Sequence, residues 1–150
     1  MFKALREACY LSQSECAEWM DVNKRTVQSW ESGREPLPAP RLEAIKQLRA
    51  DMDAYLIEAG KALSQFAGNE RKRLLIYSNR DYELVNWGDG DKWPTAGVHR
   101  ALMGCLVSLV ENIELVWFNY DDYIQFKGNR PDDTTVRAEW LISYVGALKK

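Results

Sequence analysis

Between residues 11 and 34, apolar positions fall three or four apart in two short groups, separated by polar turn formers. That spacing predicts two short helices rather than strands. In the first, Cys16, Ala17 and Met20 share a face. Ser12 is an N-cap residue and Glu15, three positions on, completes a capping box; Leu11 and Cys16 are placed to form the hydrophobic staple. Ala17 is small where a second helix must cross. Asp21 ends the helix, being one of the few non-glycine residues that tolerate the left-handed conformation, and Val22 fills the corner. Asn23 caps the second helix. Val27 and Trp30 face inward, which leaves Lys24, Arg25, Gln28 and Ser29 expected to face outward. Glu31 is expected to form a structural ion pair with Arg6 on the preceding helix. Gly33 closes the element as a left-handed cap.

Two short helices joined by a tight turn, the second opening with two cations, make a helix-turn-helix of the kind that docks in a DNA major groove. The outward groups suit base edges. An Arg binds guanine O6 and N7 with two donors, a Gln does the same for adenine N6 and N7, and each pairing discriminates by about 1–3 kcal/mol. A Lys-Arg pair on an isolated surface helix is ordinarily a solvated face; the caps and the turn change that reading.

Beyond residue 36 the pattern lengthens. Leu37, Pro38, Ala39 and Pro40 form a rigid connector that starts a helix. Leu42, Ile45, Leu48, Met52, Tyr55, Leu56, Ala59, Leu63 and Phe66 then predict one helix over 41–66, ended by Gly68 and Asn69. Its first turns close the helix-turn-helix core, and the later ones need another partner. Residues 74–77 read as a buried strand, 81–86 as one or two helical turns and 88–91 as a loop. Pro94 leads into a helix with the stripe Val98, Leu102, Cys105 or Leu106, Leu109 and Val110. A second strand over 114–118 and a short helix over 121–126, closed by Gly128, follow. Thr134 or Thr135 is expected to cap a last helix with the stripe Val136, Trp140, Tyr144 and Leu148.

The expected fold is therefore mainly α (α+β overall). A DNA-binding domain over residues 1–67 includes the long helix, and a small α+β dimerisation domain with two short strands covers 68–150. Two short strands make a poor independent sheet, and pairing across a two-fold axis would extend it. Leu75, Tyr77, Trp117 and Trp140 are the candidate interface residues.

Composition bounds the alternatives. Of 150 residues, 46% are hydrophobic and six are Trp, which excludes a disordered chain. No apolar run approaches the ~20 residues of a membrane span, and the first residues lack a signal-peptide pattern, so a cytoplasmic protein is expected. Three cysteines, at 9, 16 and 105, read as reduced core thiols. One histidine, His99, and no C-x-x-C argue against zinc. The Asp121-Asp122 and Asp132-Asp133 pairs invite a metal reading, but adjacent carboxylates on one helix diverge. No metal, cofactor or catalytic set is expected, and Gly88-Asp89-Gly90 lacks the Lys and Ser/Thr of a phosphate loop. The net charge of −2 is uneven: residues 1–50 carry eight basic and seven acidic side chains, the remainder twelve and fifteen. Weak global charge leaves affinity to local cations and base contacts, which favours a selective regulator over a DNA-coating protein.

On Leu5-Arg6, Leu11-Ser12-Gln13, Ala17, Val22, Val27 and Trp30-Glu31-Ser32-Gly33-Arg34, residues 2–50 resemble the Cro/CI-type (xenobiotic-response-element-like) helix-turn-helix domain of lambda-repressor-like proteins. The resemblance implies that Lys24, Arg25, Gln28 and Ser29 read bases and that Gln13 and Arg34 meet backbone phosphate; Thr26 and Ser32 are placed with them as phosphate contacts. It also implies the Arg6–Glu31 pair. The departures, Asp21 for Gly and Cys16 for the usual Leu, lie off the DNA face. The order of elements after residue 40 is similar to that of small YdiL-like and anti-CRISPR-associated (Aca) regulators, which implies a dimeric autorepressor binding a double-stranded operator.

Two other readings share these features. One is an antitoxin whose C-terminal half holds a protein toxin. The other is a ligand-responsive regulator in which Trp87, Trp93, Trp117, Phe118, Tyr120, Tyr123, Trp140 and Tyr144 line a sensor pocket; such residues are more often core or interface. A basic helix also suits a structured RNA hairpin.

Overall fold

A computed structural model of the chain describes residues 1–66, 70–88 and 92–149. Among the described residues are eight helices and two strands: α1 (Phe2–Ala8), α2 (Gln13–Trp19), α3 (Lys24–Ser32), α4 (Ala39–Ser64), β1 (Lys72–Ile76), α5 (Asn79–Leu84), α6 (Ala96–Leu109), β2 (Ile113–Trp117), α7 (Tyr120–Lys127) and α8 (Thr134–Leu148). The protein is mainly α with a small sheet, as the periodicity predicts. The expected stops at Gly68-Asn69 and most of the 88–91 loop lie outside the described residues. No described helix is long and apolar enough to cross a membrane.

The first four helices enclose Phe2, Cys9, Leu11, Cys16, Ala17, Met20, Val27, Trp30, Ile45, Leu48 and Met52. Phe2 meets Trp30 edge to face at 5.6 Å. Burial raises the Cys9 thiol and takes that of Cys16 to about 11, so both stay protonated and unreactive. The 26-residue α4 starts two residues earlier than expected, because Pro38 serves as its N-cap and Pro40 occupies the first turn, where a missing N–H costs nothing. At 1.5 Å per residue it is about 39 Å long. Its first half seals the helix-turn-helix core. The partner required by its second half is α6, whose Val98, Leu102, Met103 and Leu106 join the same core alongside Tyr55, Leu56, Ala59 and Leu63.

The two strands pair with each other, in parallel, with Lys72 opposite Ile113 and Ile76 opposite Trp117. A parallel pair needs a crossover, and α5 and α6 supply it. Side chains alternate across the ribbon: Leu74, Ile76, Ile113 and Leu115 enter the first core, while Leu75 enters a second. That second core is aromatic, built on Tyr77, Tyr82, Phe118, Tyr123 and Trp140 with Val85, Ala96 and Val136. Phe118 and Trp140 meet at 5.0 Å and Trp140 stacks on Tyr144 at 4.6 Å. Burial takes the Tyr77 phenol to about 12 and pushes those of Tyr82 and Tyr123 up as well.

Two expectations about this half are corrected. Tyr77 and Trp140 are 4% and 1% exposed, so they are core residues and not surface. Of the four interface candidates Trp117 is the exposed one; Leu75 is half-buried against the aromatic core. The cap of α8 is Asp133, whose carboxylate accepts the Val136 N–H at 2.9 Å, rather than either threonine. Four cap-forming residues, Asp132 to Thr135, stand in a row there, and Asp133 also places its negative charge at the positive end of the helix dipole.

Candidate nucleic-acid interface

The helix-turn-helix forms from the local signals in its sequence. The Ser12 hydroxyl accepts the Glu15 N–H at 3.1 Å and Glu15 accepts the Ser12 N–H at 2.8 Å, closing the capping box. Asp21 has φ of +51° and the following Val22 N–H reaches back to the Ala17 carbonyl at 2.9 Å, which makes the turn. The Asn23 side chain accepts the Thr26 N–H at 2.9 Å, and Gly33, at φ +73°, ends α3.

Arg6 and Glu31 form the expected pair, Nε to Oε1 at 2.5 Å, with side chains 8% and 7% exposed. Arg6 also donates to the Leu11 carbonyl. Burial alone would raise the Glu31 carboxyl; hydrogen bonds from Arg6 and Gln13, with the Arg6 charge, more than offset it and hold the group below its usual value. A chain of polar contacts continues outward. Gln13 Nε2 donates to Glu31 Oε2 at 2.7 Å, and Gln28 Nε2 donates to Gln13 Oε1 at 3.2 Å. This sequence of bonds assigns each amide. An ionised carboxylate only accepts, so Gln13 must turn its NH2 group to Glu31 and its oxygen to Gln28, which then presents its own NH2. Among the described residues nothing else holds Gln28, which leaves one N–H and its carbonyl oxygen, the two groups needed to pair with adenine.

Lys24, Arg25 and Gln28 are exposed together on α3, with Ser32 one turn further along. Among the described residues no side-chain hydrogen bond or ion pair holds Lys24, Arg25 or Arg34, whereas thirteen ion-pair contacts occupy other cations of the chain. Thr26 is half-buried with its hydroxyl on Asn23 at 3.1 Å, and the Ser32 hydroxyl donates to the Ser29 carbonyl at 3.2 Å.

Ser29 departs from expectation. It is 8% exposed and does not share the outward face. The chain returning after Gly33 sends the Arg34 and Glu35 N–H groups to the Ser29 carbonyl at 3.0 and 3.4 Å, and a small side chain at that turn is enclosed. The Gln13–Gln28 contact was not foreseen; it joins positions fifteen apart on two helices, for which no periodic signal exists.

The acidic pairs weighed as metal ligands are all committed elsewhere. Asp121 binds Arg80 at 2.8 Å, Asp122 accepts the Trp140 indole N–H at 2.7 Å, and Asp133 caps α8. Asp132 accepts from Tyr123, Arg137 and the Asn86 N–H at 2.9, 2.6 and 2.8 Å. Among the described residues no group of three His, Cys, Asp or Glu side chains is arranged to hold a metal.

A four-helix N-terminal core carrying a helix-turn-helix, continued by a long helix into a strand–helix–strand unit, defines the structural class. Within it, the chain belongs to the Aca2/YdiL-like family, whose model matches residues 1–95. That match runs from α1 through α5 and stops where α6 begins. The chain is also similar to the Aca2 repressor of Pectobacterium phage ZF40, with 30% identity over 95 residues covering 57% of this chain and 78% of the relative.

Proposed function

We propose that the protein is a sequence-specific repressor that binds double-stranded DNA as a homodimer, with α3 in the major groove. The observation that carries this reading is the outer face of α3. There two unpaired cations, Lys24 and Arg25, stand beside a Gln28 amide already oriented by Gln13, while Glu31, the carboxylate that Gln13 meets, is neutralised by Arg6. Free cations and a preset amide suit an anionic polymer with readable edges. Arg25, Gln28 and Lys24 read bases. Gln13, Thr26, Ser32 and Arg34 contact phosphates around them. Ser29 supports the turn from within. The family membership and the repressor among the relatives favour the same reading.

A two-fold assembly follows from the small size of one reading head, because helix-turn-helix dimers engage half-sites about 34 Å apart. With Tyr77 and Trp140 in the core, the surface favoured for dimerisation moves to Trp117 and to the apolar groove of about 420 Å3 between Leu56, Ile57 and Gly60 of α4 and Leu109 and Val110. The test is selection of random duplex DNA by the purified protein, together with its mass in solution. An enriched inverted repeat and a dimeric mass are expected. A folded protein that enriches no sequence overturns the proposal.

A further inference from the structure

The two cores do not close completely on one another. Between them lies a cleft of about 790 Å3, within the range of roughly 300–1,000 Å3 typical of small-molecule sites. Both halves build it: Trp19 at the end of α2 and Tyr55 on α4 from one side, Trp87, Trp93 and His99 from the other. The four larger rings are only half-buried, so flat apolar surface remains uncovered. Tyr55 and Trp93 meet edge to face at 5.4 Å, which fixes two of the walls.

The polar lining narrows what fits. Lys92, Arg137 and Asp51 are the charged residues of its lining. An anion is disfavoured, because Arg137 is committed to Asp132 at 2.6 Å and Lys92 to Glu83 at 2.6 Å. Asp51 already accepts the Gln47 amide at 2.8 Å. His99 is different. It is 8% exposed, and its Nδ1 is the one buried side-chain polar atom without a hydrogen-bond partner among the described residues. Buried polar groups nearly always have partners, and an exception calls for a missing one. Burial, with the nearby Arg100 charge, lowers its pKa to about 4, so the imidazole is neutral, with one donor and one acceptor.

We propose that this cleft is a binding site for a small, neutral, planar aromatic or heteroaromatic molecule, stacked among the Trp and Tyr rings with its hydrogen-bonding edge towards His99. Aromatic rings in such walls favour offset or edge-to-face contact with a flat occupant. Trp19 ends the helix whose first residue, Gln13, orients Gln28, so an occupant touches the helix-turn-helix unit and the aromatic core at once.

The test titrates the full-length protein, without DNA, with four probes: adenine and 2-naphthol as neutral planar ligands, cyclohexanol as a non-aromatic control, and benzyltrimethylammonium as an aromatic cation. Calorimetry gives affinity, and the indole N–H signals in NMR give location. At least one planar probe is expected to bind below about 1 mM, and about tenfold more tightly than either control. The signals of Trp19, Trp87 and Trp93 should move while those of Trp30 and Trp140 stay. Ala44 is exposed on α4 and lines the cleft, so Ala44→Tyr fills the space without touching either core and should weaken binding about tenfold or more. Failure of both planar probes to bind, equal binding of the controls, or undiminished affinity in Ala44→Tyr overturns the proposal. Because DNA is absent, none of these outcomes bears on the repressor reading.

Discussion

In α1–α4 the buried charge is one pair, Arg6 and Glu31, and three cations at or just beyond α3 have no partner among the described residues. After β1 the acidic side chains that look most like a reactive site, Asp121, Asp122, Asp132 and Asp133, each hold a cation, a phenol, an indole or a helix end. The reading face of α3 keeps its cations outside and free; after β1, Asp122 and Asp132 hold Trp140 and Tyr123 of the aromatic core. Unpaired charge therefore marks the surface available to another molecule, and paired charge marks scaffold. Substitutions on the two sides should differ in what they damage.

The largest effect is expected in the aromatic core. Trp140 is 1% exposed and donates its indole N–H to Asp122. Trp140→Ala should cost about 3–5 kcal/mol of stability in urea denaturation, and Trp140→Phe, which keeps most of the ring surface, about 1.5–3 kcal/mol for the lost hydrogen bond to a carboxylate. A Trp140→Ala protein as stable as the parent would remove the scaffold half of the comparison.

Next comes the buried pair. Glu31→Ala leaves Arg6 buried without its partner and should cost about 3–5 kcal/mol. The pH dependence has a definite sign. The Glu31 carboxyl is held below its usual value in the folded state, so its stabilisation is fully present above the unfolded pKa of about 4.3. It is lost as pH falls through the lower folded value. Acid titration of Glu31→Gln should lack that component, and an unchanged acid profile would show that the pair is not the source.

The free cations should behave oppositely. Arg25→Ala should leave stability within about 0.5 kcal/mol while weakening operator binding by about 1–3 kcal/mol, roughly 5- to 150-fold. Arg34→Ala, if it touches only phosphate, should weaken all sequences alike and reduce the salt slope by about 0.9. Binding of the parent sequence by Arg25→Ala with unchanged affinity and specificity, measured by fluorescence anisotropy, would disprove the assignment of the reading face.

How much of this was legible differs between the halves for the same physical reason. The caps at Ser12 and Asn23, the left-handed Asp21 and Gly33, and the stripe of α4 as far as Leu63 depend on nearby residues, and all appear in the structure; Phe66, expected at the end of that stripe, lies past the helix and is 67% exposed. The partner of a carboxylate is set by which elements pack together. Asp122 finds Trp140 across 18 positions and Asp132 finds the Asn86 N–H across 46, so neither role is visible along the chain. Residue type does not distinguish Trp140, at 1% exposure, from Trp117, at 58%. On α3, outward position was legible for Lys24, Arg25 and Gln28, but not the enclosure of Ser29, which depends on the return of the chain after Gly33.

The smallest expected effect isolates one of these illegible choices. The run Asp132-Asp133-Thr134-Thr135 offers four residues able to cap α8, and the structure uses Asp133, with Thr134 and Thr135 exposed. Asp133→Ala removes an acceptor from the Val136 N–H and a negative charge from the helix start, and should cost about 1 kcal/mol. Asp133→Asn keeps the acceptor and loses only the charge, so its cost should be a few tenths of a kcal/mol, within the range of about 0.3–1 kcal/mol for a charge at a helix end. Thr134→Ala should be neutral within about 0.5 kcal/mol. Should Thr134→Ala prove the more destabilising of the two alanine variants in urea denaturation, the helix would begin one residue later. Arg137, which reaches Asp132 and the Asn86 carbonyl from the first turn of α8, would then be held differently against the aromatic core.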